Sequence, residues 1–124
     1  KHLGTLLMQS ASSYDTVGEN FYHGLVLGLC ATLDNRYYIT SNRESGEGRY
    51  DICLCPKDTK MPGALIELKA AKDCSDDELK ALSETALKQI NDRKYETELT
   101  AKGVKNIFKY GVAFSGKKVQ IATC

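Results

Sequence analysis

Apolar positions along this chain follow two periods, and each marks a different kind of element. Leu3, Leu6 and Leu7 recur at helical spacing, so residues 2–10 are expected to be the end of a helix. Phe21, Leu25, Val26, Leu29 and Leu33 predict a second helix over residues 15–33. Apolar residues wrap so much of that segment that it is expected to be largely buried. Gly24 and Gly28 within it point to close packing, because glycine costs helix stability. Residues 36–41 are β-branched and aromatic enough for a strand, and a polar, glycine-broken stretch follows over 42–49. Residues 50–55 and 64–70 read as strands joined by a loop that holds both prolines. Ser75-Asp76-Asp77-Glu78 is a capping box, and Leu79, Leu82, Ala86 and Ile90 form the apolar stripe of the helix it starts. Tyr95 falls on the opposite side of that wheel, which predicts a break near 91–93 and a short helix ending before Gly103. Residues 107–114 and 117–122 make a final hairpin around Ser115-Gly116. The order α-β-β-β-α-α-β-β predicts an α/β or α+β sheet with helices packed on it.

The 124 residues fit one domain. With 42% hydrophobic and 27% charged residues, the composition excludes a disordered or fibrous chain. The longest apolar stretch, residues 25–33, is too short to span a bilayer, so no membrane partner is expected. No secretory signal opens the chain, and a start at Lys1 rather than Met leads us to expect a piece of a longer protein. Cys30, Cys53, Cys55, Cys74 and Cys124 contain no CxxC pair, and His2 and His23 are too few to complete a zinc site with them. The thiols are therefore expected to be reduced, mostly buried residues of a cytoplasmic protein. A net charge of +1 is uninformative, but its distribution is not. From residue 101 onward there are five lysines and no acid, whereas residues 73–98 hold eight acids against four bases. A basic surface for nucleic acid and a solvated lysine-rich edge both fit that asymmetry.

The informative segment is the hairpin over residues 50–70. Alternation puts Asp51, Cys53 and Cys55 on one face of its first strand, with Ile52 and Leu54 on the other. On the returning strand Leu65, Glu67 and Lys69 share a face, with Ile66 and Leu68 opposite. Asp51, Glu67 and Lys69 thus converge on one side. Paired carboxylates beside a lysine suit phosphodiester hydrolysis with Mg²⁺ or Mn²⁺, since oxygen donors hold such ions and the ion stabilises charge on the phosphate. The plain alternative is a set of charges on the wet face of a half-solvated sheet.

Residues 41–51, Ser-Asn-Arg-Glu-Ser-Gly-Glu-Gly-Arg-Tyr-Asp, followed by Ile66-Glu67-Leu68-Lys69, resemble the core of a PD-(D/E)XK nuclease-like domain. More narrowly, the chain resembles the branch found after AAA-type ATPase-like domains in bacterial proteins. Residues 19–24, residues 86–90 with Tyr95, and residues 109–117 match that branch in order, so the resemblance runs from about residue 14 to 121. It implies a restriction-endonuclease-like core, a mixed central β-sheet flanked by helices. Residues 1–13 are then the end of a preceding helix or linker, and residues 14–124 the nuclease-like domain. Tyr50 stands where the family name has proline, a position that does not touch metal.

Carried over by position, the resemblance implies that Asp51 and Glu67 bind the metal with the backbone carbonyl of Leu68, and that Lys69 orients the attacking water. Glu19 contributes directly or through a water; otherwise it is a helix-start acid favoured by the macrodipole. Gln89 borders its helix's stripe and either reaches the site or merely edges the core. Tyr95 stacks on a base or closes the core, the core being favoured. His23, four residues after Glu19, is read first as a packed histidine and second as a base or ligand. Arg43 and Arg49 either hold phosphate or pair with Glu44 and Glu47, and Lys117 and Lys118 are the phosphate candidates of the basic tail. The leading expectation is a metal-dependent nuclease acting on DNA, beside an upstream ATPase-like domain and with a homodimer as a further candidate partner. The competing expectations are an idle nucleic-acid-binding or protein-docking module and a structural oligomerisation domain.

Overall fold

A computed structural model describes residues 18–33, 35–44, 49–90, 95–115 and 118–123, with the backbone alone for 18–21, 43–44 and 49. The expected helix over residues 2–10 lies outside the described residues.

The observed elements are α1 (Gly18–Leu33), β1 (Tyr37–Glu44), β2 (Arg49–Pro56), β3 (Gly63–Ala70), α2 (Asp76–Ile90), α3 (Tyr95–Ala101), β4 (Ile107–Ser115) and β5 (Lys118–Thr123). This is the α-β-β-β-α-α-β-β order read from the pattern. The five strands form one sheet in the order β1-β2-β3-β4-β5. β3 and β4 run parallel, and the other neighbours are antiparallel. A parallel neighbour needs a long crossover, and α2 and α3 supply it. The sheet is therefore mixed and flanked by helices, as expected.

Two apolar clusters cover its two faces. Tyr22, Leu25 and Leu29 of α1 pack with Tyr50, Ile52, Leu54, Ile66, Leu68, Val112 and Phe114. On the other face Ile90 of α2 and Leu99 of α3 pack with Cys53, Cys55, Leu65 and Val104. β3 is central and buried from Gly63 to Lys69. Its alternation therefore separates two packed faces rather than core from water.

α1 departs from expectation. Only a stripe through Tyr22, Leu25 and Leu29 is buried, while Leu27 is 69% exposed and Gly24 and Gly28 are half-buried. A helix on one side of one sheet needs a single apolar stripe, so Val26 and Leu33 pack at its edge, half-buried, and Leu27 faces outward. β1 also runs past its expected end at Ser41 to Glu44.

The capping box forms as read. Ser75 N donates to Glu78 Oε1 at 2.8 Å and Glu78 N to Ser75 Oγ at 3.1 Å, and these bonds hold the Glu78 carboxyl below its usual range. α2 then settles onto β4 at Gly111, where a methyl group would overlap the Ser83 carbonyl oxygen and the Leu87 amide nitrogen. Only a residue without Cβ admits that approach. Gly111→Ala is accordingly expected to lose about 3 kcal/mol or more in urea unfolding, because the obstructing atoms are helix backbone. A loss below about 1 kcal/mol would mean that the helix stands further off than this.

Candidate active site

Strand register builds the site. Asn42 lies across from Asp51, Asp51 across from Glu67, and Glu67 across from Gly111, so one row crosses four strands. Directly opposed residues of an antiparallel pair have Cβ atoms about 5 Å apart and project to the same face. The Asp51 and Glu67 carboxyl groups therefore stand side by side. Lys69, two residues beyond Glu67 on β3, shares that face.

All three are buried: Asp51 is 5% exposed, Glu67 0% and Lys69 9%. This removes the wet-face alternative. Charged groups are seldom buried unless paired, since an uncompensated one costs several kcal/mol. Asp51 Oδ1 and both carboxylate oxygens of Glu67 accept no hydrogen bond, although each residue interacts with other neighbours. Among the described residues no cluster of three or more His, Cys, Asp and Glu side chains is arranged to hold an ion. The carboxylates here come as a pair.

The pocket over that pair is lined by Asp51, Ile52, Leu65, Ile66, Glu67, Ile90 and Tyr95. Tyr95 does more than close the core. Its ring packs beside Ile90 and Leu99, while its hydroxyl accepts from Asn42 Nδ2 and the residue shares the pocket wall with Asp51. Burial and then the negative charge of Asp51 push its phenol above the ordinary value. Lys109 Nζ pairs with Glu96 Oε1 at 2.8 Å, tying the first turn of α3 to β4.

Other candidates are placed differently. Glu19 lies in the first turn of α1, one turn before Tyr22, whose ring stacks on Tyr50 at 4.3 Å between centroids. The Glu19 side chain lies outside the described residues, as do those of Arg43, Arg49 and Lys117. Leu68 turns its side chain to the α1 face, in the opposite layer from Glu67. His23 is exposed on α1, the helix on the far face of the sheet from the pocket. Gln89 is half-buried beside the pocket-lining Ile90. Lys118 Nζ reaches Asp76 Oδ1 and the Cys74 carbonyl, each at 3.4 Å, and joins β5 to the start of α2. Asn42 is the site residue that pattern reading missed. Its signal was the four-residue link between β1 and β2, which lets pairing be counted back from Asp51.

Cys30, Cys53, Cys55 and Cys74 are free thiols, as expected. Cys30 and Cys74 are half-buried rather than buried. Cys53 follows Asp51 on the same face of β2. Burial first, then Cys55 and Glu98, push its thiol up to about 12, so it offers no thiolate to the pocket at neutral pH.

A family model described as the PD-(D/E)XK nuclease superfamily matches residues 17–124. No curated protein and no solved structure matches the chain.

The thiol geometry has a direct test. Iodoacetamide at mild alkaline pH should label Cys30 and Cys74 well before Cys53, as followed by mass spectrometry of digested protein. Equal labelling rates in the folded state would mean that Cys53 is neither sealed nor held protonated.

Proposed function

We propose that this chain, which belongs to the PD-(D/E)XK nuclease superfamily, is a divalent-metal-dependent nuclease domain that hydrolyses phosphodiester bonds in DNA. The observation that carries the reading is the register pairing of Asp51 with Glu67, both buried and both facing one pocket. Hard oxygen donors of net negative charge fit Mg²⁺ or Mn²⁺ better than softer ions, and no thiolate competes among them. The donor set therefore fits such an ion. Asp51 and Glu67 would hold it, with the Leu68 backbone carbonyl as a further ligand; Glu19, which the family pattern also suggests, would have to reach the ion from the start of α1, the helix that packs on the opposite face. A divalent cation held there supplies Lewis-acid stabilisation of the charge that builds on the phosphate.

The chain's own groups do the rest. Lys69 donates a hydrogen bond to the attacking water and holds it in line with the phosphorus. The hydrophobic lining from Leu65 and Ile90 keeps the pocket's dielectric low, which strengthens each of these polar contacts. Exposed Lys102, Lys105 and Lys118 supply cationic surface for the phosphate backbone, with Arg43, Arg49 and Lys117 as further candidates. The sequence blocks shared with the branch that follows ATPase-like domains support such a domain as an upstream partner in a bacterial cytoplasmic protein, with a homodimer as the second assembly. The described residues contain no helix long and apolar enough to cross a membrane.

Two substitutions separate binding from chemistry. Asp51→Ala should lose Mn²⁺ uptake in isothermal titration together with all cleavage of a labelled duplex. Lys69→Ala should keep the ion yet lose about 10²–10⁴-fold in single-turnover cleavage, the usual cost of removing a positioned proton-handling or orienting group. Mn²⁺ should also raise the melting temperature of the parent, since it binds the folded state alone. Parent-like cleavage by Lys69→Ala would remove the lysine from the mechanism. A parent that binds the ion and cleaves no nucleic acid would favour the idle docking module.

A further inference from the structure

Asn42 and Tyr95 stand outside the carboxylate–lysine set, yet both converge on Asp51. Asn42 is directly across the β1–β2 pair from Asp51, and Tyr95 arrives from the first turn of α3. Asn42 Nδ2 donates to the Tyr95 hydroxyl, and Tyr95 and Asp51 line the same pocket, where the Asp51 charge helps to raise the phenol. The direction of the hydrogen bonding follows from the groups themselves. The amide N–H takes a lone pair of the hydroxyl, which leaves the single phenol proton for the acceptor that Asp51 offers as a cation-binding carboxylate. Asn42 thereby commits the tyrosine proton to the aspartate.

Tyr95 is held in place independently of these bonds. Its ring packs in the cluster with Cys53, Leu65, Ile90 and Leu99, and the neighbouring Glu96 is paired with Lys109 of β4. A fixed donor of this kind matters to a carboxylate because its terminal torsion is broad, with no deep rotameric well of its own.

We infer that Tyr95, held by Asn42, is a positioning residue that sets the orientation of the Asp51 carboxylate and with it the site's preference for a small divalent ion. The inference rests on the metal-binding reading above. Mg²⁺ demands near-ideal octahedral geometry, whereas Ca²⁺ accepts looser and more numerous ligands. A carboxylate free to rotate should therefore weaken Mg²⁺ far more than Ca²⁺, and loss of such supporting hydrogen bonds typically costs about 10–100-fold.

The test is isothermal titration of the whole chain with Mg²⁺ and separately with Ca²⁺, for the parent, Tyr95→Phe, Asn42→Ala and the double variant. Melting temperatures are taken alongside without added ion. Tyr95→Phe keeps the ring, so its fold should persist while Mg²⁺ affinity falls about 10–100-fold and Ca²⁺ affinity falls much less. Asn42→Ala should weaken Mg²⁺ less than Tyr95→Phe does, and adding it to Tyr95→Phe should cost nothing further, because the amide acts through the hydroxyl. Equal loss for the two ions, or no loss, would overturn the positioning role. So would an Asn42 effect undiminished in the Tyr95→Phe background. A parent that takes up neither ion would instead bring down the metal-binding reading and this inference with it, an outcome visible in the parent trace alone.

Discussion

Two carboxyl groups set face to face in the middle of a sheet and shut away from water are the constraint that the rest of this molecule answers. Like charges directly opposed across strands are destabilising, and burial deepens the penalty. Lys69 lies on the same face, two residues along β3, and Tyr95 stands beside Asp51 on the pocket wall. A bound cation would complete the neutralisation. The opposite layer supplies the stability that such an arrangement needs. Leu25, Leu29, Ile52, Ile66 and Leu68 are sealed there, and each buried leucine or isoleucine of that kind is worth about 2–5 kcal/mol against alanine.

The depth of Glu67 has a specific cause in its neighbour. Gly111 is its partner on β4, and the missing side chain lets the backbone of α2 come down beside the carboxylate. A larger residue at that position would lift the helix and open the pocket. The capping box and the Lys118–Asp76 pair fix where α2 begins, although the exposed ion pair contributes little by itself. Lys109 and Glu96 then hold α3 across the same strand. Residues scattered from 67 to 118 thus act on one small volume.

Much of this was legible in the chain because alternation is a local property. The face shared by Asp51, Glu67 and Lys69 follows from a two-residue period, and the capping box and the turn of the helical wheel before Tyr95 are equally local. Family resemblance then named the constellation. What could not be read depends on which strands meet. Asn42 was hidden because a polar, glycine-containing stretch looks like a loop until the register extends β1 to Glu44. Tyr95 was assigned to the core, correctly but incompletely, since nothing near it in sequence points to residues 42 and 51. Gly111 lies inside a predicted strand, and its meaning comes from a helix some twenty-five residues earlier. The one-sided burial of α1 has the same origin, because composition does not tell how many partners a helix has.

The alternation of β2 and β3 makes the site and the apolar core two readings of one ruler. Tyr50, Ile52 and Leu54 face α1 while Asp51, Cys53 and Cys55 face the pocket, and Ile66 and Leu68 interleave with Leu65, Glu67 and Lys69 in the same way. Adding or removing a single residue inside either strand would turn every later side chain over, exposing carboxylates to leucines and leucines to the pocket together. A change of two residues would slide the pattern along without inverting it. Length variation in this hairpin is therefore governed by parity: odd changes within the strands destroy core and chemistry at once, and even ones move the acids along a face they already occupy.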